Sequence, residues 1–170
     1  MDTDVFARDI MVTDFDTVNE SDPVETVIKM IFTGKIRASG DKTTSLMVTN
    51  ELNHFVGIVT MFDILYNLRP GFLNYPGLDG KDVSWMGLIN LCKKELITKR
   101  VKDIMSSEIV GALPDEHLMA LLDRMVKNKY HRLPVLGNNE PIGIVYIADI
   151  YFHLFAWDGL VNKRKKGAQG

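Results

Sequence analysis

The chain states one pattern twice, and a duplication of this size dictates how it can fold. Asp9-Ile10-Met11 recurs as Asp103-Ile104-Met105. The apolar set Val24, Val27, Ile28 and Ile31 recurs at the same spacing as Leu118, Leu121, Leu122 and Met125. Farther on, Gly57-Ile58-Val59-Thr60-Met61-Phe62-Asp63-Ile64 returns as Gly143-Ile144-Val145-Tyr146-Ile147-Ala148-Asp149-Ile150. A unit of roughly 50–60 residues is too small to close a large core alone, so the copies are expected to bury a shared face about a pseudo-twofold axis. Such a pair leaves clefts at its seam, where small ligands usually sit.

Within each copy the apolar period switches. Val24, Val27, Ile28 and Ile31 form one stripe at helical spacing. Asp22-Pro23 suits the first turn of that helix, and Pro114-Asp115 is expected to do the same in the second copy. Two β-prone runs follow, Leu46–Val48 and Phe55–Val59, matched by Leu133–Leu136 and Ile142–Val145. The Asn- and Gly-bearing loops between them, Asn50–Asn53 and Gly137–Glu140, predict hairpins. A helix is predicted after each hairpin, at about Thr60–Leu68 and Ile147–Phe155, and a short strand before each first helix, Asp16–Val18 and Ile109–Gly111. The order is β-α-β-β-α in an α+β fold.

The chain thus divides into a first repeat (1–68), a connector with a helix through Val83, Met86, Ile89, Leu91 and Leu96 (69–99), a second repeat (100–158) and a basic, disordered tail (159–170). The first copy also carries an extra polar stretch near Ala38–Thr44, expected to be a surface loop.

Composition narrows the partners. A net charge of −2 gives no general pull toward nucleic acid or an anionic membrane. Cys92 is the single cysteine, so no intrachain disulfide can form, and a reducing compartment is expected. No apolar run approaches the roughly 20 residues that cross a bilayer. Met1-Asp2-Thr3-Asp4 lacks the layout of a signal peptide, and the expectation is a cytoplasmic protein. The run Lys163–Lys166 has no accompanying aromatic platform or recognition helix, which argues against nucleic-acid binding. His54, His117, His131, His153 and Cys92 show no metal-ligand spacing, and no serine has a nucleophile context. Asp14 and Asp16 form an exposed-looking pair without a partner acid. Neither an enzyme nor a resident cofactor or metal is expected.

The strongest candidate for chemistry is Gly57-Ile58-Val59-Thr60-x-x-Asp63-Ile64. A buried strand there delivers the chain to a helix start, whose free N–H groups and dipole suit an anion. A carboxylate can accept from both vicinal hydroxyls of a ribose, and a hydroxyl can meet ribose or phosphate. Thr-x-x-Asp equally fits a capping box in which each side chain satisfies a helix N–H. In the second copy Tyr146 replaces the threonine and Asp149 remains, which favours a ligand over a cap, although the helix dipole also stabilises an aspartate there.

Taken together, Asp-Ile-Met, an amphipathic helix, an apolar strand and Gly-Ile-Val-Thr-x-x-Asp-Ile resemble a CBS domain (the cystathionine-β-synthase type), and two in tandem resemble a Bateman module. The resemblance implies a three-stranded sheet with helices in each copy. It also implies a regulatory role, sensing AMP, ADP, ATP or S-adenosylmethionine. Asp63 with Thr60, and Asp149, then fall on the ribose positions. Tyr146 departs from the pattern and would stack on a base or fill the pocket. His131-Arg132 resemble the His-Arg pair that meets phosphate in some members, and arginine's planar fork suits that task. The first copy has Thr44-Ser45 at the matching place, so the charge clamp is one-sided, with Lys42 as a further candidate cation. The family pattern draws the adenine lining from the strands, with Val18, Val110 and Val135 as candidates.

The leading expectation is a non-catalytic module that binds an adenosine-containing ligand, dimerises through helical faces and is read by an effector protein. The apolar block Tyr151–Trp157 is expected at such an interface. The alternative is a dimerisation scaffold whose clefts are vestigial.

Overall fold

The computed structural model describes residues 4–37, 39–74 and 84–156. In chain order they form α1 (Ala7–Ile10), β1 (Thr17–Asn19), α2 (Val24–Phe32), β2 (Ser45–Thr49), β3 (Phe55–Thr60), α3 (Met61–Leu68), a 3-10 turn (Gly71–Asn74), α4 (Trp85–Leu96), α5 (Val101–Ile104), α6 (Leu118–Asn128), β4 (Arg132–Gly137), β5 (Glu140–Tyr146) and α7 (Ile147–Ala156). Two compact units result: Asp16–Ile109, and Met1–Phe15 together with Val110–Gly170.

In the unit Asp16–Ile109 the sheet order is β1-β2-β3, with β1 parallel and β3 antiparallel to β2. β2 is central, and each of its residues is buried. The expected helical stripe is real. Val24 and Val27 of α2 enter the core with Val18, Leu46, Val48, Val59, Ile64 and Leu96, while Ile28 and Ile31 pack on its margin. Val101, Ile104 and Met105 belong to this core too. Beyond α5 the chain adds to the free edge of β3, where Ile58 and Ser106 exchange both main-chain hydrogen bonds at 2.9 Å. A Cβ on Gly57 would lie 2.6 Å from the Ser106 carbonyl oxygen, so this crossing requires a glycine.

The other unit repeats the plan with its partners exchanged. β4 and β5 form an antiparallel hairpin. Asn138 and Asn139 close it at φ 52° and 65°, the left-handed pair that a tight two-residue turn demands. Val12 pairs with Ile144 through both main-chain bonds, and Met11 lies over Gly143, whose added Cβ would sit 2.5 Å from its sulfur. Ala7 donates to the Glu116 carbonyl and Leu118 to that of Val5. Each Asp-Ile-Met segment therefore packs on the sheet of the other copy. The repeats 1–68 and 100–158 are copies of sequence, whereas the packed units trade their leading segments.

Two local expectations need correction. The second copy has no strand at Ile109–Gly111, only an isolated parallel bridge between Ala112 and Val135. The matching pair in the first unit is Val18 with Val48, so Ala112 is the counterpart of Val18 and Val110 that of Asp16. Val110 thus lies two residues ahead of the bridge, outside the sheet, and is 73% exposed where Val18 is 3% exposed. Likewise Pro114-Asp115 forms a turn ahead of α6, which starts only at Leu118 with His117 as its N-cap. Asp22 accepts from the Asn19 N–H, and its counterpart Glu116 accepts from that of Leu113. The extra stretch is an exposed turn, in keeping with the surface loop expected there: Gly40 takes φ 90°, Ile36 bridges Lys42, and the Thr43 N–H donates to the Lys35 carbonyl. The connector helix is present as α4, while Val83, Trp157 and the tail lie outside the described residues.

Candidate functional site

Strand register decides which side chains meet at the end of each sheet. In the first-repeat unit, Ser45 at the start of β2 stands opposite Thr60 at the end of β3. The Met61 N–H donates to the Thr44 carbonyl at 2.9 Å, fixing the first residue of α3 to the approach to β2. β1 runs parallel to β2, so its leading residue Asp16 lies at this same end. Buried Ile64 anchors the first turn of α3 and leaves Asp63 partly exposed.

Thr60 caps α3 from an extended backbone at φ −123° and ψ 163°. Its hydroxyl accepts from the Asp63 N–H at 3.1 Å. Asp63 reaches back with one oxygen only: Oδ2 accepts from the Thr60 N–H and from its hydroxyl, both at 2.8 Å. The capping reading of Thr-x-x-Asp is thus realised. Oδ1 takes no hydrogen bond from the described residues. The carboxylate therefore holds the helix start and still has an acceptor for a second task.

The second-repeat unit builds the same passage from different side chains. Arg132, opening β4, stands opposite Tyr146, closing β5, and the Ile147 N–H donates to the His131 carbonyl at 3.0 Å. Asp149 lies in the first turn of α7 and is partly buried, ahead of buried Ile150. Arg132 and Tyr146 are partly buried as well, and His131 is exposed. The sequence-predicted polar residues thus form two separate sets, Thr60 with Asp63, and His131, Arg132, Tyr146 with Asp149, one in each unit. The three valines do not join them as a lining: Val18 and Val135 are core residues, and Val110 is a surface side chain.

Two further charges matter. Asp16 pairs with Lys35 at 3.3 Å. Sequence reading left Asp16 as an exposed acid, because its cation arrives from the far end of α2. Lys42 does not stand ready as an extra phosphate ligand; its ammonium donates to the Phe32 carbonyl at the end of α2, where the helix dipole favours a cation. A separate cleft of about 270 Å3, lined by Tyr66, Asn67, Arg69, Cys92, Glu95 and Lys99, lies at the other end of α3 and takes in none of these residues.

Two α/β units that repeat the same strand-to-helix passage, each completed by the leading segment of the other copy, define a tandem-repeat α/β fold. The sequence profile of the CBS domain matches residues 7–70 and 101–156, and the chain belongs to the CBS-domain family. Its fold is similar to the CBS domain of a CBS domain-containing membrane protein from Sphaerobacter thermophilus, with a TM-score of 0.66 at 23% identity over 87% of this chain and 86% of that one. It is similar to CBSX2 in complex with AMP, with a TM-score of 0.64 at 20% identity over 89% and 97% of the two chains. It also resembles the CBS domain pair of protein MJ0100 in complex with 5′-methylthioadenosine and S-adenosyl-L-methionine, with a TM-score of 0.63 at 19% identity over 92% and 99%. Homoserine O-acetyltransferase from Methanococcoides burtonii is 28% identical over 149 residues, which is 87% of this chain and 24% of that relative.

Proposed function

We propose that this chain is a non-catalytic regulatory module that binds an adenosine-containing ligand, AMP, ADP, ATP or S-adenosylmethionine, and passes the bound state to a partner protein. The observation that carries the reading is the divided use of Asp63. Oδ2 holds the cap and Oδ1 is uncommitted among the described residues, so a ribose hydroxyl can donate to the carboxylate without dismantling the start of α3. A carboxylate in that place accepts charge-assisted bonds, which are stronger than neutral ones. The ligands held by the two neighbours, AMP in one and an adenosine thioether and sulfonium in the other, support an adenosine scaffold. Similarity to a quarter-length stretch of a protein named for acetyl transfer supports a module that serves a separate activity.

The module also pairs with a second copy in this reading. α3 exposes Phe62 and Tyr66, with rings 6.4 Å apart, and α7 exposes Tyr151, Phe152 and Phe155. Aromatic faces of this kind are characteristic of interfaces. A scaffold without ligands is the second reading, and the completed Thr60–Asp63 cap favours it, since that aspartate has a structural role regardless. Titration calorimetry with AMP, ATP and S-adenosylmethionine separates the two. Asp63→Asn is the informative variant, because the amide oxygen can still accept from the Thr60 N–H while the charge is lost. Binding that weakens tenfold or more in a variant of unchanged melting temperature supports the sensor. Absence of heat with every adenosine compound supports the scaffold.

A further inference from the structure

The two sheet ends follow matching backbone paths and differ in charge. At matched positions the first-repeat unit has Asp16, Thr44, Ser45, Thr60 and Asp63, and the second has Val110, His131, Arg132, Tyr146 and Asp149. The first set therefore contains two carboxylates and no cation. Lys35 reaches Asp16 from outside the set in a solvent-exposed pair, which offsets only part of its charge. The inserted turn adds Arg37, Asp41 and Lys42, of which Lys42 is committed to the Phe32 carbonyl. In the second set a guanidinium and an imidazole accompany a single carboxylate, and the place of Asp16 is taken by an apolar side chain.

We propose that the two units sort adenosine ligands by charge: the first-repeat site takes an unphosphorylated or cationic adenosine derivative, and the second-repeat site takes a phosphorylated one. This rests on the adenosine-binding reading above. A phosphate monoester is close to a dianion at neutral pH, and placing it beside Asp16 and Asp63 sets like charges together. A thioether carries no such penalty, and a sulfonium gains attraction from the same carboxylates. At the other end Arg132 offers the forked donor that phosphate favours. Adjacent strands stand about 4.8 Å apart, so Asp16 on β1 lies two spacings, roughly 10 Å, from the end of β3. A nucleoside bridges that span, so Asp16 acts on the far end of a ligand whose sugar is held by Asp63.

The test uses the full chain and three probes, 5′-methylthioadenosine, S-adenosylmethionine and AMP, titrated calorimetrically into wild type, Asp63→Asn, Asp149→Asn and Asp16→Val. Sorting predicts that methylthioadenosine affinity falls at least tenfold in Asp63→Asn and AMP affinity at least tenfold in Asp149→Asn, each ligand following its own carboxylate. Asp16→Val, which copies the second unit, should strengthen AMP binding at the first site about fivefold; Asp16→Asn should give the same direction if the valine variant folds poorly. Loss of both ligands through one and the same aspartate, or an unchanged preference in both Asp16 variants, overturns the sorting and leaves adenosine binding standing. No heat from any of the three probes overturns the binding reading itself.

Discussion

The first-repeat unit closes its sheet with a true β1, whereas the second stops at a single bridge. Val18 sits in the core of the first unit, and its counterpart Ala112 is equally buried but two methyl groups smaller. The strand-to-helix passage shows the same division of labour. Thr60 and Asp63 complete a reciprocal cap, while the second copy keeps the aspartate as Asp149 and puts Tyr146 in the place of Thr60 and Arg132 in that of Ser45. Duplication preserved the path of the backbone and let the polar chemistry at its end diverge. Backbone geometry is held by many buried contacts, and a partly exposed side chain at a sheet end is held by few.

The largest effect expected from breaking this comparison lies at the crossing glycines. Gly57 faces a main-chain oxygen that cannot rotate away, whereas Gly143 faces the side chain of Met11. Gly57→Ala should therefore destabilise the protein by about 3 kcal/mol and Gly143→Ala by about 1 kcal/mol, read from urea midpoints at constant m-value. Equal losses would show that the leading segments are not held as described. Next, Val18→Ala makes the first unit resemble the second, and an expected loss of about 2 kcal/mol should appear with faster amide exchange along β1. Thr60→Ala removes the cap and should lower stability by about 1 kcal/mol. A change within error would mean that the Asp63 carboxylate holds the helix start unaided. At the small end, Val110→Asp puts the acid of the first unit into the second. Its stability change should stay within about 0.5 kcal/mol, as expected at an exposed position. Its AMP affinity should fall, the mirror image of Asp16→Val.

Much of this was written locally. The helical stripe of α2, the hairpin turn at Asn138-Asn139 and the connector helix follow from apolar spacing and turn chemistry, because those signals act over a few residues. The Thr60–Asp63 pair was legible as a cap, because both partners lie within one helical turn, and the structure adds that a single carboxylate oxygen makes it. Val110 was misplaced because the loop before it carries no periodic signal, and without strand partners its register against β4 is free to slip. The same freedom hid the start of α6, where Pro114-Asp115 imitates a first turn that belongs to His117.

The amino-acid order alone determined that two like α/β copies exist, where most of their strands and helices fall, and that an aspartate stands in the first turn of the last helix of each. Only the tertiary structure decided that each Asp-Ile-Met segment completes the sheet of the other copy, that Asp16 pairs with Lys35, and that Lys42 closes a helix end. Local propensity acts between neighbours in sequence. Which free strand edge a segment joins, and which cation meets which acid, depend on chain closure over long separations, where many sequences of identical local preference remain equivalent until the core is packed.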